Sequence, residues 1–262
     1  MQDLGRFAMT TAANSDLPGQ PVRQDQAGAP SRPAWRLVGL AFGLYILAQV
    51  ASAVFVFFVA LGVAAAGASA KAPDAKVLFY CFGGLGTASV FYLGALAQGP
   101  IVGGGNLRAG LGDAPISRPV MMIVLGVAVA GYGTLGALAI YRTHPDIIQS
   151  WFSLSPWSWI LVAVVVIVVG PIAEELFFRG WLWTGLRSRW GALPTAALTG
   201  ALWLAIHLEQ GVGKPVLLLP VAVFLSAARH FGRSVRASIA LHMLNNLTGE
   251  LSPIVLWKAE II

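Results

Sequence analysis

The sequence predicts an all-α fold, a polytopic bundle of about seven transmembrane helices, or eight if a broken helix hides one. Three observations predict it. Charged residues make up 11% of the 262 and hydrophobic ones 57%, where soluble domains carry about 25% charged residues; mean hydropathy is +0.74. Apolar runs recur at the ~20-residue length that a span requires. Lysine and arginine fall in alternate connections between those runs, the signature of membrane topology.

Residues 1–34 are polar and rich in Gly, Pro, Gln and Ala, with no periodicity and no apolar signal-peptide core, and read as a disordered cytoplasmic tail. Spans are expected at roughly 37–66, 77–98, 119–141, 157–184, 192–209, 214–231 and 236–257. They divide into N-terminal helices over 35–150 and a second bundle over 151–262. The fifth and sixth spans are short and the connection between them, "EQGVGKP", is tight. The glycine-rich stretch Gly99 to Asp113 echoes a nucleotide-binding pattern, but no strand flanks it, so it reads as a flexible loop.

Eleven basic residues lie on one side: Arg6, Arg23, Arg32, Arg36, Arg108, Arg118, Arg187, Arg189, Arg229, Arg233 and Arg236. Five lie on the other: Lys71, Lys76, Arg142, Lys214 and Lys258. This asymmetry places the N-terminus in the cytoplasm and accounts for the net charge of +6 without nucleic acid as a partner. The inner (plasma) membrane of a bacterium is the expected site, with lipids as the surrounding partners. Cys81, the single cysteine, excludes an intrachain disulfide and a thiolate cluster and reads as a small core or lipid-facing residue.

Of the eleven acidic residues only Glu174 and Glu175 sit well inside an apolar run, in "GPIAEELFFRG". A carboxylate at that depth costs at least ~2.5–3.5 kcal/mol on insertion scales, so it marks a function by default. Adjacent helical positions diverge by about 100° and the two glutamates therefore do different jobs. Glu175 and Arg179 stand at i and i+4 with the acid first, the favourable order for an ion pair. Glu174 faces elsewhere and suits a general base. His144 and His230 read as solvated, whereas His207 and His242 lie in apolar helices. His242 and Asn246 share a helix face; an imidazole can bind a metal or pass a proton, and an amide can donate to an oxyanion. Asn245 points about 100° away and is the weaker candidate. Counted at 1.5 Å per residue, Glu174 lies about 15 Å from the cytoplasmic side, His242 about 9 Å and His207 about 22 Å, so depth alone does not align them.

Glu174-Glu175-x-x-x-Arg179, Trp203-x-x-x-His207 and His242-x-x-x-Asn246, in this order and about 30–35 residues apart, resemble the three motifs of the CPBP family. These are the CAAX prenyl endopeptidases and bacteriocin-processing proteins, also called Abi-family intramembrane proteases. The likeness covers about 157–250. The family's second motif usually carries Phe four residues before the histidine; here it is Trp203, and its packing role is expected to survive. The resemblance implies a protease whose site opens into a water-accessible intramembrane cavity and whose substrate is a membrane-associated peptide or protein tail. It implies catalytic roles for Glu174, His207, His242 and Asn246, and supporting roles for Glu175, Arg179 and Trp203. Zinc held by Glu174, His207 and His242 and a metal-free glutamate mechanism both remain open. The residues themselves also admit a proton-coupled transporter, a haem protein with two axial histidines, and a non-catalytic scaffold or immunity protein.

Overall fold

The computed structural model describes residues 33–143 and 152–258, and these form helices joined by short turns, with no strand among them. The expected tail lies outside the described residues except for its last two, and Ala34 already opens the first helix; His144 also lies outside. In chain order the helices are α1 (Ala34–Ala65), α2 (Pro73–Val102), the single-turn α3 (Leu107–Leu111), α4 (Pro119–Thr143), the long α5 (Pro156–Trp190), α6 (Ala192–Ala205), α7 (Gly213–Gly232) and α8 (Val235–Lys258).

Five of these, α1, α2, α4 over its first 21 residues, α5 and α7, are long and apolar enough to cross a membrane. The chain is an integral membrane protein. The other two expected spans correspond to α6 and α8. α6 has only 14 residues and ends at Ala205, with His207 in the turn beyond it. α8 is 24 residues long, but His242, Asn245, Asn246, Thr248 and Glu250 dilute its apolar character.

Helix starts follow local chemistry. Pro73 and Pro156 occupy first-turn positions where a missing N–H costs nothing. Ser155 caps α5 through its hydroxyl, and its own N–H donates to Asp74 Oδ1 at 2.9 Å, tying the starts of α2 and α5 together. α1 and α2 pack through small residues, as helices do where lipid removes the hydrophobic drive between them. A Cβ on Gly86 would stand 2.8 Å from the Ala51 and Ser52 backbone, so only glycine permits this approach. α1 turns Phe42, Val50, Phe57 and Phe58 outward.

The core lies where α2, α5 and α7 meet, around Phe91, Phe177, Phe178, Trp181 and Leu225. Phe91 stacks on Phe177 at 4.5 Å and Phe177 meets Trp181 at 5.1 Å, geometries that add to the area they bury.

The glycine-rich stretch is not the loop that its composition predicts. Its first residues complete α2, and Leu107–Leu111 form α3, capped by the Asn106 side chain accepting from Ala109 N–H at 3.0 Å. The segment that follows is stitched to the α7–α8 turn: Val235 N–H donates to Gly112 O, Ser117 N–H to Gly232 O and Ser234 Oγ to Ala114 O. Gly112 has φ 61°, which favours glycine, and a Cβ there would displace the Arg229 guanidinium. Asp113 accepts from both Arg236 and Arg108. The Arg236 hydrogen bond foremost, then the Arg108 bond and the two positive charges, hold its carboxyl below the usual carboxylate range.

Candidate active site

Two π-helical stretches, Ala163–Val169 and Leu176–Leu182, flank the short α-helical turn Gly170–Glu175 inside α5. Such insertions recur at functional sites because they break the hydrogen-bond ladder locally. The first has a sequence cause. Gly170 N–H bonds Val165 O in π register; the next donor would serve Val166 O, but residue 171 is proline and has no N–H. The Asn246 side chain supplies the missing donor, Nδ2 to Val166 O at 2.8 Å. At the second stretch Arg229 Nε donates to Arg179 O at 2.7 Å. Both interruptions are thus closed by side chains from α8 and α7, satisfying backbone groups that lipid could not.

The two glutamates part as their spacing predicts. Glu175 is fully buried, and its Oε1 accepts from Arg179 Nη1 at 2.9 Å and from His242 Nδ1 at 3.0 Å. A buried charge needs a partner of this kind. Glu174 faces the other way and is partly exposed. Its Oε2 accepts from the Trp203 indole N–H at 2.6 Å, a bond to a charged acceptor and so among the stronger kind. Arg179 bonds Glu175, as the i,i+4 spacing predicts, and stands over the Trp203 ring, 5.0 Å from its centroid.

Trp203 is the hub. Its ring lies 4.7 Å from that of His207 and 5.4 Å from that of His242, the latter edge-on. His207 Nδ1 is 2.9 Å from Trp203 O. A carbonyl only accepts, so Nδ1 carries the hydrogen and Nε2 of the neutral ring keeps its lone pair. The contact of His242 Nδ1 with a carboxylate assigns the same tautomer to that ring. Each histidine is therefore oriented by one nitrogen and offers the other.

These groups share one cavity of about 500 Å³, whose wall includes Glu174, Trp203, His207, His242, Asn245 and Asn246. The depths that sequence counting left unaligned converge there. Asn245 belongs to the wall as well, its Nδ2 donating to Asn246 Oδ1 at 3.1 Å. The opposite wall comes from helices without motifs: Gln49 of α1, Tyr80 and Thr87 of α2, Tyr132 of α4. Sequence reasoning did not find these, since a lone polar residue in a span carries no spacing signal.

For a metal the fit is partial. Two imidazoles with engaged Nδ1 atoms and one carboxylate are the donor types of a catalytic zinc site. Among the described residues, however, no three His, Cys, Asp or Glu side chains gather closely enough to hold an ion.

Comparison with known proteins finds a family match. Residues 156–248, from the start of α5 to the middle of α8, match the family of type II CAAX prenyl endopeptidases described as Rce1-like. The matched segment contains all three motifs and every residue of the constellation, and it agrees with the resemblance to CPBP proteases drawn from those motifs. No curated protein and no solved structure matches the chain.

Proposed function

Starting from a segment similar to CAAX endopeptidases, we propose that this chain is an intramembrane endopeptidase that hydrolyses a peptide bond in a membrane-associated peptide or protein tail. The observation that carries this reading is the division of labour between Glu174 and Glu175. One carboxylate is sealed in an ion pair, and the other is held by a single indole N–H at the wall of the cavity that His207, His242 and Asn246 also line. We place the protein in a bacterial inner membrane with its N-terminus in the cytoplasm.

Trp203 occupies Oε2 of Glu174 and leaves Oε1 to take a proton from water. The second hydrogen of that water is accepted by Nε2 of His207 or His242, which turns the oxygen lone pair toward the scissile carbonyl. Attack gives a tetrahedral oxyanion. Asn246 spends one N–H on Val166 O and retains a second, and Asn245 likewise retains one beyond its bond to Asn246; either stabilises the oxyanion as a neutral donor. Glu174 then returns its proton to the departing amine. A zinc ion would draw on Glu174, His207 and His242 and supply Lewis acidity only once those side chains moved closer together. The proposed chemistry runs on the protein's own groups.

The test compares new protein N-termini and released peptides in membranes carrying wild type or Glu174→Gln at equal expression. Products that vanish in the variant establish proteolysis and reveal the substrate. Identical profiles remove the protease reading and bring forward the scaffold and the proton-coupled transporter. Dialysis against a chelator is expected to leave cleavage intact. Loss that zinc restores would assign the three residues to an ion.

A further inference from the structure

The geometry points to a binding site for the phosphate of an anionic phospholipid at the end of the bundle where α4 starts and α5 and α7 finish. Arg229 is the centre of it. The side chain is 9% exposed, and its donors reach Arg179 O and, at 3.3 Å, Thr184 Oγ1, both neutral. Among the described residues no carboxylate forms an ion pair with it; Asp113, the acid of this end, is taken by Arg108 and Arg236. Buried charges are ordinarily paired. The centroid of the Trp183 ring lies 5.8 Å from Arg229 Cζ, and the charged neighbours here are cations: Arg187 beside Arg229, and Arg118, Arg187 and Arg233 beside His230.

Backbone strain gives a second, independent sign. Arg118 and Arg233 have φ 54° and 53° and are the two non-glycine residues with positive φ among those described. Glycine would hold that conformation without strain. Arginine at both places brings charge to the cluster at a conformational cost, and an anion bound between them would offset the repulsion. The surroundings favour a lipid over a free ion. Ile116 and Val120 flank Arg118 and are 41% and 72% exposed; Trp190 and Leu193, just beyond Arg187, are 39% and 81% exposed. A rim of cations above apolar surface and a tryptophan matches a phospholipid, with its headgroup on the arginines and its chains along the helices. Because Arg229 also closes the second π stretch, the headgroup rests one side chain away from the backbone of the glutamate motif.

Native mass spectrometry and thermal unfolding of the purified full-length chain in neutral detergent test this. The probes are phosphatidylglycerol, phosphatidylcholine and inorganic phosphate. Wild type is expected to retain phosphatidylglycerol over phosphatidylcholine and to unfold at a higher temperature with it, while inorganic phosphate has no effect. Arg187→Gln with Arg233→Asn is expected to weaken retention of phosphatidylglycerol roughly fivefold per arginine. Asn tolerates positive φ, so Arg233→Asn alone keeps or raises the unfolding temperature without lipid, and lost retention cannot then be lost folding. Equal retention of the two lipids, an undiminished preference in the double variant, or a shift reproduced by inorganic phosphate would each overturn the lipid site.

Discussion

Trp203 does with one side chain what packing alone would leave undone. Its six-membered ring could be replaced by phenylalanine, as in the family's usual second motif; its indole N–H could not. Trp203→Phe keeps an aromatic between the two histidines and removes the only side-chain hydrogen bond seen on Glu174 among the described residues. A hydrogen bond to a charged group contributes about 1.5–3 kcal/mol, so kcat on the natural substrate is expected to fall roughly 10- to 100-fold with KM little changed. A rise in KM with kcat intact would make Trp203 a substrate contact instead. At this scale the sequence was partly legible. The 100° divergence of neighbouring helix positions separated Glu174 from Glu175, and the i,i+4 rule found Arg179. The bond from Trp203 to Glu174 was not legible, because it joins helices whose facing residues no spacing rule relates. The place of Asn245 in the cavity wall was not legible for a similar reason: its bond to Asn246 depends on how two adjacent amides turn there.

Among the elements, α5 departs furthest from what its sequence announces. Its opening run, "WILVAVVVIVV", is apolar on every face, and uniform hydropathy conceals whether the turn holds 3.6 residues or more. Pro171 is the visible trace of the change. Pro171→Ala would return an N–H to residue 171, give Val166 O a backbone donor and release Asn246 from it. The variant is expected to fold at least as stably as wild type, since proline interrupts helices, and to lose activity because Asn246 is no longer fixed. Thermal unfolding beside peptide cleavage checks both halves; full activity would show that the Val166 contact is not needed to position Asn246. α6 illustrates the opposite error. Apolarity continues to Leu208, so the sequence reads a longer span, but the helix stops at Ala205 and delivers His207 in a turn.

Across the whole molecule, the cavity joins helices that carry the motifs to helices that carry none, and the N-terminal half was legible only as spans. One contact between distant segments also carries a pH dependence. Asp113 holds the α3 end to the start of α8, and its depressed folded pKa means that its contribution is fully present above the ordinary carboxylate value of about 4 and is lost as pH falls through the lower folded one. Asp113→Asn is expected to lower the unfolding temperature at neutral pH and to flatten its decline between about pH 5 and pH 3. Parallel pH curves for the two proteins would remove Asp113 from the account. The shortness of α6 has a consequence for how the protein is made. Fourteen residues rise about 21 Å, against a hydrocarbon core of about 30 Å, and only Gly191 separates this helix from α5. Such a segment cannot leave the translocon as an independent membrane-crossing unit. It relies on its neighbour, so Trp203 comes to face Glu174 only where α6 packs against α5.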